Sequence, residues 1–276
     1  MYTLNCKGKL LVIDRPLIMG IINATPDSFY KGHSPLGLDG IVSLAGEMLS
    51  DGADILDIGG QSTRPGSIRI AASEETERIL PVVEAIHLKY PEAIISIDTY
   101  QARVAEIAVN AGASIVNDIS GGTMDKDMLS TVAALKVPYV CMHIKGTPDS
   151  MQKEAIYEDV VKEVLDYFIF KVAECKDAGI HDIIIDAGFG FGKTIAHNFK
   201  LLKHLSLFKM LDKPILAGIS RKSIIYKTLG ITAGHALNGT TVLNTIAVMN
   251  GSSILRVHDV KEAKEVVDLL LAYKKM

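Results

Sequence analysis

Short apolar runs rich in isoleucine and valine, each stopping at a polar residue or a glycine, recur along the whole chain. Ile183-Ile184-Ile185 stops at Asp186, after which Gly188, Gly190 and Gly192 alternate with Phe189 and Phe191. Ile55-Leu56-Asp57-Ile58 runs into Gly59-Gly60, Ile94 to Ile97 into Asp98, Ile115-Val116 into Asn117-Asp118, and Leu216-Ala217 into Gly218. Runs this short and this apolar are strands buried on both faces, as parallel sheets require. A polar residue where each strand ends points to one shared rim, the place where parallel α/β proteins build their sites.

Strands are expected at 17–22, 55–58, 94–98, 114–119, 139–143, 183–186, 214–219 and 252–257. Helical patterns fall at about 39–50, 73–89, 102–110, 125–135, 157–177, 196–208 and 260–275. Strand and helix alternate with no linker, repeat array or low-complexity tract, so the expected class is α/β, a single (β/α)₈ TIM barrel. Residues 2–14 alternate loosely around Gly8, which predicts a short N-terminal β-hairpin. The expected organisation is a hairpin extension at 1–16 followed by one barrel at 17–276. The connections after Asn23 and after Gly60 are long for strand-to-helix loops, which marks them as functional or mobile.

Composition removes several function classes. A net charge of -3 gives no general affinity for nucleic acid or for an anionic membrane, so neither is an expected partner. An anionic substrate would need locally placed arginine or lysine. Cys6, Cys141 and Cys175 have no metal-ligand spacing and no disulfide framework, which suits a reducing cytoplasm. No apolar run approaches membrane-spanning length. Ala187 to Thr194 nearly matches a P-loop, with alanine in place of its first glycine. Asp186 beside that loop would repel a phosphate, two phenylalanines suit a flat aromatic ligand better, and the glycines are not spaced as a dinucleotide fingerprint.

Taken as a set, the strand ends resemble a known family. Asn23-Ala24-Thr25-Pro26-Asp27-Ser28-Phe29 and Ser62-Thr63-Arg64-Pro65-Gly66 are similar to two mobile loops of the dihydropteroate synthases. Ser96-Ile97-Asp98-Thr99, Val116-Asn117-Asp118-Ile119-Ser120, Met142-His143, Asp186 to Lys193, Ser220-Arg221-Lys222 and Arg256-Val257-His258-Asp259 resemble the remaining motifs, in the family's order. Gln61, Lys145 and Ala187 depart from the family pattern, where glutamate, glutamine and proline are common. Asn238-Gly239-Thr240-Thr241 is also atypical.

The resemblance implies condensation of p-aminobenzoate with 6-hydroxymethyl-7,8-dihydropterin pyrophosphate, releasing pyrophosphate, with Mg²⁺ as cofactor and a homodimer as the assembly. It implies a pterin pocket of Asp98, Asn117, Ile119, Met142, Asp186, Phe191, Gly218, Lys222 and Arg256, within which Asp98, Asp186, Lys222 and Arg256 are catalytic. p-Aminobenzoate would meet Phe29, Thr63, Arg64, Pro65, Ser220 and Lys222, with a helix N-terminus after Ser220 near its carboxylate. Pyrophosphate would meet Asn23, Arg64, Arg256 and His258, with Asn23 also the metal ligand. The residue types suit this chemistry. Carboxylates and an amide can pair with the polar edge of a pterin, and arginine forks suit phosphates. Mg²⁺ keeps most of its water and takes phosphate oxygens, so one neutral amide can serve as its protein ligand. Gly188, Gly190 and Gly218 are expected to leave room for a planar ligand, Asp57 to be an ion-paired strand-end carboxylate, and His143 to be structural. A methyltetrahydrofolate-dependent methyltransferase and a non-catalytic pterin-binding paralogue are the rival readings. The first has no pyrophosphate to hold, and the second has no use for Asn23, Arg64 and Arg256 together.

Overall fold

The protein is described by a computed structural model covering residues 1–24, 37–62, 66–67 and 69–276. Eight parallel strands close into a barrel: β3 (Leu17–Asn23), β4 (Ile55–Gly59), β5 (Ile94–Asp98), β6 (Ile115–Asp118), β7 (Tyr139–Met142), β8 (Ile183–Asp186), β9 (Ile215–Ala217) and β10 (Ile254–Val257). Each pairs with its sequence neighbours, and β10 pairs with β3 to close the ring. The fold is the TIM barrel expected from the strand pattern. Around it lie α1 (Leu38–Ser50), α2 (Ala72–Lys89), α3 (Ala102–Asn110), α4 (Met128–Leu135), α5 (Val160–Asp177), α6 (Ile195–Lys203), α7 (Ser223–Leu229), α8 (Leu237–Met249) and α9 (Val260–Lys274).

Side chains alternate across a strand, and this sorts the apolar residues into two layers. Ile18, Ile22, Leu56, Ile58, Ile183, Ile185, Leu255 and Val257 point outward into one core shared with the helices. Leu17, Met19, Ile55, Ile115, Val140, Ile184, Leu216 and Ile254 point inward and fill the lower barrel. β1 (Tyr2–Cys6) and β2 (Lys9–Ile13) form the antiparallel hairpin, turning through Lys7 and Gly8 at φ of 52° and 90°. Two successive positive φ values give the twist that two-residue hairpin turns favour. The hairpin buries Leu4, Cys6, Leu11 and Ile13 in that same lower cluster, so it stops the N-terminal end of the barrel. Burial pushes the Cys6 thiol up to about 12, which makes it an inert packing group.

Helix boundaries differ from the sequence expectation where side chains cap the backbone. The helix expected from 157 starts at Val160, because Asp159 accepts hydrogen bonds from the amides of Val161 and Lys162. The helix expected across 196–208 ends at Lys203 and resumes as a 3₁₀ turn at Leu205–Leu211. Residues 237–249 carry no strong helical signal, yet they form α8. Gly239 explains its packing: a Cβ there would stand 2.4 Å from Ile225 Cγ2, so α8 rests closely on α7. Thr240, Thr241 and Thr245 donate their hydroxyls to the carbonyls four residues earlier, absorbing polar groups within the helix itself. Among the described residues no helix is long and apolar enough to cross a membrane.

Candidate active site

The alternation that fills the lower barrel also dictates what faces its mouth. Asp57 follows Ile55 by two residues, as Asn117 follows Ile115, Asp186 follows Ile184, Gly218 follows Leu216 and Arg256 follows Ile254. Strand register sets the upper groups side by side: Asn23 lies beside Gly59, Gly59 beside Asp98, and Asp98 beside Asn117.

Arg256 ties these ends together. Its Nε donates to Asp57 Oδ2 at 2.6 Å, and its Nη2 donates to Asp98 Oδ2 at 2.6 Å. Asn117 donates to the same Asp57 oxygen at 3.1 Å. Asp57 is fully buried, and a buried carboxylate needs a paired cation, which Arg256 supplies. Burial opposes the Arg256 charge, but Asp57 and Asp98 outweigh it and hold the guanidinium above its ordinary range. Burial pushes the Asp98 carboxyl up to about 7 against the pull of Arg256, with Asp57, Glu75 and Asp118 adding to the rise. Asp98 Oδ1 is buried and has no hydrogen-bond partner among the described residues, so it can accept from a ligand.

Asp186 opens the glycine-rich loop and accepts from the Gly188 amide at 2.8 Å. Burial raises its carboxyl above the usual range, while Lys222, the Gly188 amide and Arg256 pull it back. Lys222 donates to Phe189 O at 2.6 Å and lies 4.6 Å above the Phe191 ring. Burial draws the Lys222 amine down to about 8, although Asp186 favours its charge. At Gly218 a Cβ would stand 3.7 Å from Lys222 Nζ and 3.9 Å from Arg256 Cβ, so this glycine does border the site. Gly188 answers a different need. Its φ is +67° and a Cβ would stand 2.0 Å from His143 O, so it is there for a left-handed turn pressed against β7. Ile119, Met142 and Tyr100 form a small apolar cluster at the mouth, with Phe191 packed on it.

Ser220 and His258 also meet. Ser220 Oγ lies 3.0 Å from His258 Nδ1 and accepts from the His258 amide at 3.2 Å. Arg221 reinforces this joint by gripping both Asp259 oxygens, at 2.8 and 2.7 Å. The helix after Ser220 starts at Ser223, with Lys222 at its cap position. Asn23 is exposed at the end of β3. Phe29, Thr63, Arg64 and Pro65 lie outside the described residues. Of the departures, Gln61 donates to the Tyr100 hydroxyl, Ala187 is buried, and Lys145 turns to Ile156 O and lies 4.3 Å from the Tyr157 ring. Asp57 and Tyr100 join this cluster of strand-end groups, although the sequence reading gave neither a ligand-binding role. Their spacing of two residues from Ile55 and Asp98 was the available signal.

Comparison with known proteins gives one consistent result. Residues 19–258 match the family described as pterin binding enzyme. The chain is 41% identical over 268 residues to the dihydropteroate synthase of Escherichia coli (strain K12), covering 96% of this chain and 94% of that relative. It superposes with a TM-score of 0.94 on the Yersinia pestis dihydropteroate synthase solved with a sulfonamide drug complex, at 38% identity over 100% of both chains. A dihydropteroate synthase from Xanthomonas albilineans in complex with 7,8-dihydropteroate matches with a TM-score of 0.90 and 34% identity, again over 100% of both chains. The conserved length, the barrel and the matched region agree, and the chain belongs to the pterin binding enzymes, in the dihydropteroate synthase family.

Proposed function

We propose that the mouth of this barrel forms 7,8-dihydropteroate by dissociative substitution at the methylene carbon of 6-hydroxymethyl-7,8-dihydropterin pyrophosphate. The reaction is a transferase step of folate biosynthesis, with p-aminobenzoate as the acceptor. The observation that carries the residue assignment is the gathering of Asp98, Asn117, Asp186 and Lys222 beside the apolar patch of Ile119, Met142 and Phe191. That combination matches a flat heterocycle with a polar edge: Asp186, Asn117 and Asp98 accept from and donate to the edge, Lys222 donates to a ring acceptor, and the apolar groups cover the faces.

The bond from the methylene carbon to the leaving oxygen breaks first, and its electron pair leaves with pyrophosphate. Positive charge then spreads over the pterin, where Asp98 and Asp186 in their ionised forms stabilise it. The arylamine nitrogen forms the new bond with its lone pair and loses its extra proton to solvent. Arg256, Arg64, His258 and Asn23 hold the pyrophosphate, while Phe29, Thr63, Arg64, Pro65, Ser220 and Lys222 surround the arylamine. Two of the five N–H groups of Arg256 are engaged by Asp57 and Asp98, which leaves donors for a phosphate oxygen. The donor set near Asn23 offers a neutral amide, and no cluster of three metal-ligating side chains occurs among the described residues. This suits a cation that arrives with its phosphate ligands, so Mg²⁺ would take the Asn23 oxygen and neutralise leaving-group charge.

Replacing Asp186 with asparagine removes a charge-assisted pair and lowers pterin affinity by about 1.5–3 kcal/mol, measured by calorimetry. Product formation and pyrophosphate release, assayed with and without Mg²⁺, test the reaction itself. Unchanged pterin affinity in Asp186→Asn refutes the assignment, and turnover without pyrophosphate release favours the methyltransferase reading.

The proposed assembly is a homodimer through α7 and α8. Leu229, Val242, Ile246 and Met249 are 56%, 49%, 37% and 62% exposed, and the last three share one helical face. Ile246→Asp is expected to lower the sedimentation coefficient to that of a monomer while leaving the far-UV spectrum unchanged; an unaltered coefficient argues against this face. We further take residues 1–16 as an extension of the pterin-binding barrel at 17–276. Three free buried cysteines are consistent with the cytoplasm as its compartment.

A further inference from the structure

Lys193, the residue that makes the sequence resemble a P-loop, does not reach toward the barrel mouth. It is 3% exposed, and its Nζ lies 2.9 Å from His143 Nδ1, 3.2 Å from His143 O, 3.0 Å from Gly188 O and 2.9 Å from Phe191 O. A buried amine is costly unless its hydrogens are taken, and here four acceptors surround it. Two of them, Gly188 O and Phe191 O, bracket Phe189, whose own carbonyl receives Lys222. Asn198, also buried, completes the support. Its Oδ1 accepts from the Gly190 amide at 2.7 Å, and its Nδ2 donates to Thr194 O at 2.7 Å and Lys193 O at 3.3 Å.

Lys222 therefore shares a short turn with a second lysine that never faces the ligand. Lys222 has two further N–H groups to offer a pterin, and a ring that takes them pulls on the amine that holds Phe189 O. If nothing else held the turn, Phe189 and Phe191 could follow the amine as the ligand draws it in and carry the aromatic wall of the pocket with them.

We propose that Lys193 is a positioning residue of the pterin pocket, which anchors Gly188 O and Phe191 O to the end of β7 so that the turn stays in place when Lys222 engages the ligand. The proposal rests on the reading that Asp186 and Lys222 bind the pterin. Burial draws the Lys193 amine down to about 7, with Asp186 opposing and Lys222 adding to the fall. Burial also drives His143 toward its neutral form, with the Lys193 charge adding. As an ammonium, Lys193 shares three hydrogens among the three carbonyls and His143 Nδ1. As an amine, it accepts from the imidazole and has two hydrogens, enough for Gly188 O and Phe191 O. Those two carbonyls are held in either state.

Lys193→Met keeps the length and removes the donors, and Lys193→Gln restores a shorter donor. Steady-state kinetics of Lys193→Met should show KM for the dihydropterin pyrophosphate raised about tenfold or more, with kcat changed far less. Lys193→Gln should recover part of that loss. In a Lys222→Met background the effect of Lys193→Met should shrink, because the two act through the same turn. Asp186→Asn, run in parallel, separates the two levels. An unchanged KM in Lys193→Met while Asp186→Asn weakens pterin binding overturns the inference and leaves the pterin site standing. If Asp186→Asn is silent too, the pterin-site reading falls and this inference with it. Loss of the near-UV signal in both Lys193 variants also overturns it, because Lys193 would then be a requirement of the barrel rather than of the pocket.

Discussion

Arg256→Ala lowers turnover by about 10²–10³-fold and folding stability by about 3–5 kcal/mol. The first loss follows from the proposed role of the guanidinium at the leaving pyrophosphate. The second follows from the carboxylates it leaves behind, since Asp57 is fully buried and Asp98 nearly so. Denaturant titration measures the stability loss, and kinetics measure turnover. A pterin lacking pyrophosphate should lose less affinity than the enzyme loses turnover; equal losses would confine Arg256 to a structural role. The stability loss also has a pH signature. Burial pushes the Asp98 carboxyl up to about 7 in the fold, and loss of Arg256 raises it further, so the folded variant takes up a proton that the unfolded chain releases. Stability linked to this group is present at acidic pH and lost as pH rises through about 7. The variant should therefore regain part of its stability as pH is lowered from neutrality, and a flat profile would argue against burial of this carboxyl as the cause.

Gly188→Ala comes next in expected size, with a stability loss of roughly 3 kcal/mol or more. The left-handed φ of +67° alone costs a side-chain-bearing residue about 1–2 kcal/mol. The rest comes from a Cβ placed 2.0 Å from His143 O, a backbone atom that cannot swing aside. Gly218→Ala is the control. Its Cβ meets nothing nearer than 3.7 Å, so it should leave the denaturation midpoint nearly unchanged and act on ligand affinity instead. Denaturation midpoints of the two variants measured side by side decide the matter: similar midpoints would mean that the turn tolerates a side chain.

The two glycines show where reading the chain succeeds and where it runs out. Strand positions were legible because β-branched runs buried on both faces have few alternatives, and the polar strand ends followed from where those runs stopped. Gly218 lies beside Lys222 and Arg256, as the strand pattern suggests. Gly188 was assigned the wrong reason, because the carbonyl that crowds it belongs to His143, in a different strand–loop unit. Asp57 was read as an ordinary ion-paired carboxylate, and it is ion-paired; its partner Arg256 lies 199 residues away, so nothing local announced that the pair builds the site. α8 was hidden because asparagine, glycine and threonine are poor helix formers, and its helix depends on the close approach to α7. Lys193 matched a phosphate-binding spacing, while its acceptors are protein carbonyls, including that of His143, 50 residues earlier.

The N-terminal hairpin has a consequence for traffic. Because Leu4, Cys6, Leu11 and Ile13 stopper one end of the barrel, only the opposite end is open among the described residues. In a chamber with one door, whichever molecule sits deepest enters first. On the proposed arrangement that is the pterin, seated on the strand ends, with the arylamine arriving above it. Pyrophosphate must then depart by the same opening, and the product, which contains the deepest piece, is the last to go.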